Sequence, residues 1–364
     1  MYFISFIVDS DKRPGLCSLF LLITKTIHKT ERLVFFGRMM ASLEIPYQLI
    51  EKEEELDDVI AAIKKESLIS MDCEGVKLSR NGSLTVLSIG TPSKTYLFDV
   101  MKIGEAVFGK DLKEILVSTS IVKLVFDCRR DADALWHLFK VKLANVMDIQ
   151  LMQILYERTH PDEKSTSQKD MEAHHRAYKD KSPMKRALFD WPRIRSLVNC
   201  IEWYLKDSSL LAVKKKVSLT TTGTDQEMWG KRPLTEDMQR YASLDVQCLF
   251  VLYEKLKAGL TSTEVATARK GSERYLVIFR DQEENVTNPY ENYSLLPMYI
   301  LTDPPTSSSQ RQCPICKRHH LPFVEFQQGM CRLCQIKKYA HDDFVRRKGE
   351  PTVRKYQRSR YTPY

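Results

Sequence analysis

The chain has 364 residues, of which 43% are hydrophobic and 28% are charged, and its net charge is +9. These values place it among soluble globular proteins, with room for a large core and one or two small modules. The apolar runs within residues 1–38 are too short for a membrane span and acidic residues interrupt them, so no membrane association is expected.

The predicted elements begin near Tyr47, after an uncertain N-terminal extension over residues 1–45. The predicted strands are Tyr47–Ile50, Leu68–Cys73, Leu84–Ile89, Thr95–Val100, Ile121–Phe126 and one around Val146. The predicted helices are Glu53–Lys65, Asp111–Ser118, Asp131–Lys140, Ile194–Asp207 and Thr235–Leu256. Asn81 and Gly82 are a tight-turn signal and predict a hairpin. This order predicts an α/β fold in which helices pack on a mixed sheet.

Two segments show weaker or more polar patterns. Residues 159–187 are polar and predict an insertion or a mobile loop. Residues 259–312 are predicted to be a linker region, ending in a stretch rich in Pro, Ser and Thr.

Two carboxylates two residues apart, Asp72 and Glu74, follow the apolar run at Leu68. In a strand, residues i and i+2 point to the same face, and in a helix Tyr241 and Asp245 share a face at i and i+4. Acidic side chains that meet at one spot repel one another, and a divalent cation relieves that repulsion by taking them as oxygen ligands. These spacings therefore predict metal-assisted chemistry.

Asp131 completes a set of four carboxylates and one tyrosine, and with it the chain closely resembles the DEDDy group of 3′-5′ exonucleases. Within that group it resembles the branch of ribonuclease D and the exonuclease 3′-5′ domain-containing proteins. The matching stretches are Asp72-Cys-Glu74, Lys123-Leu-Val-Phe-Asp-Cys-Arg-Arg-Asp131, Trp229-Gly-Lys-Arg-Pro-Leu234 and Tyr241-Ala-Ser-Leu-Asp245-Val. The resemblance implies an RNase H-like exonuclease domain over residues 46–258.

The resemblance also implies a two-metal phosphodiesterase mechanism with Mg²⁺, or Mn²⁺ as a substitute. Asp72 would bridge both ions, Glu74 and Asp245 would hold the ion that binds the attacking water, and Asp131 would hold the other ion. Tyr241 would orient the water, because its ordinary pKa near 10 suits a positioning group better than a full base. The family branch favours single-stranded RNA over DNA as the substrate.

Other interpretations of these residues remain open. Asp131 could instead cap its helix, and Asp127 and Asp133 lie near enough to be aligned in its place. Phe126 stands where the family usually has His, and Asp148 is interpreted as structural. Some relatives have lost metal carboxylates and act as RNA-binding scaffolds, so the alternative function is a non-catalytic RNA-binding adaptor.

Nine cysteines divide into five scattered residues and a cluster of four near the C-terminus. The scattered residues and the odd total argue against a secreted disulfide framework, so an intracellular, cytoplasmic or nuclear location is expected. The spacing of the cluster predicts a small module over residues 313–334 with a structural Zn²⁺ site. Its predicted ligands are Cys313, Cys316, Cys331 and Cys334.

The positive charge is concentrated at the C-terminus, where residues 303–364 contain 13 Lys or Arg against 5 Asp or Glu. In the tail, residues 335–364, basic residues alternate with Tyr356, Tyr361 and Tyr364. Such a tail can contact phosphates and stack on unpaired bases, which favours single-stranded nucleic acid as its partner. The alternatives are a tail without a partner, a localisation signal, and a homodimer or protein contact through the C-terminal region.

Overall fold

The computed structural model describes two long stretches of the chain and several short ones. The described residues are 45–160, 194–208, 210–214, 226–281, 300–301, 311–315, 319–320, 326–327, 330–331, 334 and 338. Residues 1–44 of the predicted extension, residues 161–187 of the polar segment and all of the tail except Lys338 lie outside them.

A six-stranded mixed sheet forms the centre of the described domain. Its strands are β1 (Tyr47–Ile50), β2 (Leu68–Val76), β3 (Ser83–Gly90), β4 (Thr95–Asp99), β5 (Val122–Val125) and β6 (Val146–Asp148). Their spatial order is β1-β4-β3-β2-β5-β6. The β2–β3 and β3–β4 pairs are antiparallel, and the other neighbouring pairs are parallel.

Helices connect these strands and follow the last of them. They are α1 (Leu56–Ile63), α2 (Val100–Ile103), α3 (Lys110–Val117), α4 (Arg129–Phe139), α5 (Ile149–Thr159), α6 (Leu197–Cys200), α7 (Glu236–Ala258) and α8 (Ser262–Arg280). The α/β prediction is confirmed, because every strand predicted from the sequence is present and helices flank the sheet. None of the helices in the described part of the chain combines the length and apolar composition that a bilayer crossing requires.

Apolar periodicity explains why these residues form these elements. In α1, Leu56, Val59, Ile60 and Ile63 recur at helical spacing and are all buried. All five residues of β4 are buried, as expected for a strand covered on both faces. The core therefore lies between the sheet and the helices that cover it.

The predicted hairpin is present, and its strands are longer than predicted. Strand β2 continues to Val76 because its pairing with β3 extends past a bulge between Glu74 and Gly75. The connection contains a turn in which the N–H of Gly82 donates to the carbonyl of Ser79 at 3.1 Å. Glu74 consequently lies within a paired strand.

The prediction of a linker is wrong for residues 262–280, which form the 19-residue helix α8. Thr261 and Glu264 form a capping box at its start. Tyr275 is fully buried, and its hydroxyl donates to the side chain of Gln150 at 2.8 Å. The carbonyl of Arg280 accepts a 3.1 Å bond from Arg80. Helix α8 is therefore part of the folded domain.

The C-terminal residues that are described form two short antiparallel pairs. Strands β7 (Arg311–Gln312) and β8 (His319–His320) pair with each other, as do β9 (Phe326–Gln327) and β10 (Met330–Cys331).

If α8 is integral to the domain, Tyr275→Ala should lower the free energy of unfolding by about 3–5 kcal/mol, since it opens a large cavity and removes a buried hydrogen bond. Val277→Ala is the matched control, because Val277 lies on the same helix and is 37% exposed. Its cost should be within about 0.5 kcal/mol. Urea unfolding followed by circular dichroism measures both, and equal effects would contradict a buried inner face of α8.

Candidate active site

Asp72 and Glu74 lie on β2, an inner strand of the sheet. Asp72 pairs with Ser88 and Glu74 with Val86 across the β2–β3 ladder, and both carboxylates are partly buried. Gly75 permits the bulge that follows, since a Cβ there would lie 1.9 Å from the carbonyl oxygen of Ser83. The alternation of side chains along β2 points Asp72 and Glu74 to the same face, and the bulge lies directly after Glu74.

Helix α7 supplies Tyr241 and Asp245. Thr235 caps the helix by accepting a bond from the N–H of Met238 at 3.3 Å. The helix lies close to β3 at Gly90, where a Cβ would be 2.4 Å from the Ser70 hydroxyl oxygen and 3.3 Å from Val246. This close approach brings the face of α7 that carries Asp245 to the carboxylates of β2.

Asp72, Glu74 and Asp245 lie together, with one carboxylate oxygen from each within 4.8 Å of the other two. The residues are 173 positions apart in the sequence at their widest separation. Asp131 lies outside this group of three, but its charge interacts with that of Asp72. Tyr241 is a helical turn before Asp245 on α7.

Asp131 is positioned by the turn that begins α4. The N-cap residue of α4 is Cys128, so Asp131 is in the first turn and is not the capping residue. Asp148 accepts bonds from the N–H groups of Asp127 at 3.2 Å and Cys128 at 3.0 Å. It also accepts one from Gln150 at 3.0 Å. These contacts agree with the structural role expected for Asp148.

The two carboxylates that could be confused with Asp131 have other partners. Asp127 accepts bonds of 2.5 Å and 2.6 Å from the guanidinium of Arg129. Asp133 accepts from both the backbone and the guanidinium of Arg80, at 2.8–2.9 Å. Burial, followed by the charge of Asp72, raises the pKa of Asp131 well above its ordinary value. Asp131 is therefore the carboxylate of α4 that is electrostatically coupled to the group of three.

Lys214 is a member of this site that the sequence did not predict. Its ammonium is directly hydrogen-bonded to the Oδ1 atom of Asp245 and lies 3.5 Å from the centroid of the Tyr241 ring. The side chain is 2% exposed. In the sequence it begins a run of three lysines, a pattern more typical of a solvated surface. Only its position beside α7 distinguishes it.

The pKa values of the group reflect burial and mutual repulsion. Burial raises the pKa of Asp72 to about 7, and the charge of Asp245 contributes to the increase. Burial, then the charges of Asp72 and Asp245, raise the pKa of Glu74 well above its ordinary value. Burial also raises the pKa of Asp245, although Lys214 opposes that effect. A cation that balances these charges is therefore favoured at this position.

Tyr241 keeps its proton in this environment. The ammonium of Lys214 lowers the pKa of Tyr241, but the charge of Asp245 and burial outweigh it, so the pKa is raised overall. A protonated hydroxyl can donate or accept a hydrogen bond, which suits an orienting role better than that of a base.

Residues Trp229–Leu234 pack against Tyr241. Arg232 donates to the buried carboxylate of Asp99 at 2.6 Å and to the carbonyl of Trp229 at 3.0 Å. The Trp229 ring is buried, and its centroid lies 6.1 Å from that of Tyr241. These contacts give the stretch that resembles the exonuclease pattern a structural role, which is to hold Tyr241 in position.

The chemistry of the three clustered carboxylates fits Mg²⁺ or Mn²⁺. All three offer hard oxygen ligands, which these ions prefer. Their spacing allows one ion to contact oxygens from different side chains, and burial together with the neighbouring carboxylate charges raises the pKa values of Asp72 and Glu74. Asp72, Glu74 and Asp245 would hold such an ion.

A family model described as 3′-5′ exonuclease matches residues 47–261. The piRNA biogenesis protein EXD1 of Mus musculus is 34% identical over 113 residues, which are 31% of this chain and 20% of the mouse protein. The Egalitarian protein homolog of Caenorhabditis elegans is 25% identical over 198 residues, 53% of this chain and 29% of that protein. The matches thus span less than a third of either relative's length.

RNase D of Trypanosoma brucei, crystallised in complex with RNA U12, is similar in structure, with a TM-score of 0.53 at 20% identity. The similarity covers 72% of this chain and 80% of that chain. The described domain therefore shares its fold with this RNase D.

The raised pKa of Asp72 predicts a pH-dependent stability when EDTA removes divalent ions. Because its folded pKa of about 7 exceeds its ordinary value of 3.8, the folded chain binds a proton between these pH values that the unfolded chain has lost. Stability should therefore decrease as the pH rises from about 4 to 7, by at most about 1.4 kcal/mol per pH unit for this one group.

Thermal unfolding across this pH range measures the effect. Asp72→Asn should make the dependence shallower, whereas Asp57→Asn, which changes an exposed carboxylate on α1, should leave it unchanged. A parallel pH profile for wild type and Asp72→Asn would contradict the assignment to Asp72.

Proposed function

The chain belongs to the 3′-5′ exonuclease family, and we propose that it hydrolyses phosphodiester bonds at the 3′ end of nucleic acid with the help of divalent cations. The observation that carries this proposal is the meeting of Asp72, Glu74 and Asp245 within 4.8 Å, a turn of helix from Tyr241. Placing three carboxylates together in a buried or half-buried position is costly, and a bound divalent ion would offset that cost.

Each side chain has a role that follows from its position. Asp72, Glu74 and Asp245 would hold Mg²⁺ or Mn²⁺. Asp131, on α4, would hold the second ion. When bound, the ions lower the pKa of water and stabilise the charge on the leaving oxygen. The Tyr241 hydroxyl, which keeps its proton, orients the attacking water by hydrogen bonding.

We favour RNA as the substrate. The EXD1 relatives carry a name that refers to piRNA biogenesis, and the T. brucei RNase D structure contains RNA. These comparisons support the preference for RNA that the resemblance of the motifs implied.

Nuclease assays on single-stranded RNA and DNA labelled at the 5′ end test this function. With Mg²⁺ or Mn²⁺ the full chain should shorten RNA from its 3′ end. Asp72→Asn and Asp245→Asn should each reduce the rate at least about 100-fold, because each removes a charged metal ligand. Glu105→Gln, an exposed carboxylate away from the cluster, is the matched control and should retain the wild-type rate.

If wild type and both variants leave RNA and DNA intact, the nuclease function is wrong. RNA binding without hydrolysis in the same samples would favour the alternative, a non-catalytic RNA-binding adaptor that uses the same fold.

We also propose that residues 313–334 bind a structural Zn²⁺ ion. The sulfur atoms of Cys313 and Cys334 lie 4.0 Å apart and both residues are buried. This separation is too long for a disulfide and suits two thiolates on one tetrahedral ion with Zn–S distances of about 2.3 Å. Cys331 ends β10, and Cys316 lies outside the described residues. The module and the basic tail would then hold single-stranded nucleic acid by phosphate contacts and stacking.

Native protein should contain one equivalent of zinc by elemental analysis, and Cys313→Ser combined with Cys334→Ser should remove it. Cys200→Ala, which changes a buried cysteine on α6, is the control and should keep the zinc. Native protein without zinc would contradict the proposed module.

A further inference from the structure

Lys214 lies beside the cluster of three carboxylates, next to the residues that α7 contributes to the site. Its ammonium is hydrogen-bonded to the Oδ1 atom of Asp245, one of the three clustered carboxylates. It also lies over the face of the Tyr241 ring, with its nitrogen 3.5 Å from the ring centroid. One buried cation thus contacts both of the α7 residues assigned to the active site.

The contact has the features of a specific internal ion pair. The side chains of Lys214 and Asp245 are 2% and 7% exposed, so bulk water screens their attraction poorly. The aromatic face of Tyr241 adds a favourable cation–π interaction. An ordinary surface lysine would keep its ammonium in water and would not be held in this way.

An ammonium and a divalent ion compete for the same oxygen atoms. Mg²⁺ binds carboxylate oxygens at about 2.0–2.1 Å and requires a regular arrangement of ligands. If a divalent ion approached Asp245 while Lys214 kept its hydrogen bond, two positive charges would lie a few ångströms apart within a poorly screened site. Their repulsion disfavours simultaneous binding.

We propose that Lys214 and a divalent cation are alternative partners of Asp245, so that the lysine sets how tightly the active site binds metal. Lys214 holds Asp245 and the Tyr241 ring in place until the ion displaces its ammonium from the carboxylate. This inference rests on the proposed metal-dependent function, but metal binding can be measured without any nuclease assay.

The first test is Mn²⁺ binding to the full-length protein, followed by the electron paramagnetic resonance signal of free Mn²⁺. Lys214→Met, which keeps the length of the side chain and removes the charge, should bind Mn²⁺ about tenfold more tightly than wild type. Lys214→Arg keeps the charge and should retain weak binding close to that of wild type. Asp72→Asn should lose this binding, which identifies the site.

Lys123→Met is the matched control. Lys123 is also fully buried, but its ammonium donates to the carbonyl oxygen of Ser118 at 2.6 Å. The variant should keep the wild-type affinity for Mn²⁺. Equal or weaker Mn²⁺ binding by Lys214→Met would overturn the proposal, whether or not the wild-type protein cuts RNA.

A second measurement uses the wild-type chain and does not depend on the folding of a variant. Lysines are acetylated with a limiting amount of an N-hydroxysuccinimide ester, with and without Mn²⁺, and quantified by mass spectrometry. Displacement by Mn²⁺ should increase the labelling of Lys214 at least about fivefold while the labelling of Lys123 stays constant. Unchanged or reduced labelling of Lys214 would show that the two cations do not exclude each other.

Discussion

Repulsion between the clustered carboxylates is the constraint on which the arrangement of this domain depends. Two unit charges about 5 Å apart repel by about 3 kcal/mol at an effective dielectric constant of about 20. Flexible side chains on a mobile scaffold would move apart under this force. Asp72 and Glu74 instead project from β2, which is paired with β3 at both residues and with β5 over Leu68–Ser70. Asp245 projects from a helix packed against the sheet.

The residues behind the site explain how the elements resist that repulsion. Asp148 accepts three backbone N–H bonds at the start of α4 and α5, and this fixes the turn that carries Asp131. Arg232 joins the Trp229 stretch to Asp99 on the sheet, next to α7. Both arrangements place a charged group in a buried position with several hydrogen-bond partners, which makes the local geometry rigid.

The features that were predictable from sequence depend on short repeats. Alternation in β2 and the four-residue spacing in α7 predicted which carboxylates share a face, because both repeats are properties of the backbone alone. Helix α8 escaped prediction because much of its buried face is small or polar, as at Ala268, Gly271 and Ser272, so its apolar periodicity is weak. Lys214 could not be predicted, because a run of lysines does not indicate burial and its partner Asp245 is 31 residues away in the sequence.

Lys214 also bears on how a carboxylate cluster is interpreted. A buried cluster of carboxylates usually indicates a bound metal ion that neutralises its negative charge. A buried ammonium such as that of Lys214 can neutralise part of this charge instead. The carboxylates can therefore be kept in a chain that binds nucleic acid without cutting it. Under the proposed mechanism, a nuclease would differ from such an adaptor in binding a divalent ion at Asp245 in place of Lys214. A single positive charge leaves the charges of Asp72 and Glu74 unbalanced, and a divalent ion bound by several oxygens relieves more of that repulsion. This balance of charge supports the proposed exchange of the lysine for a divalent ion.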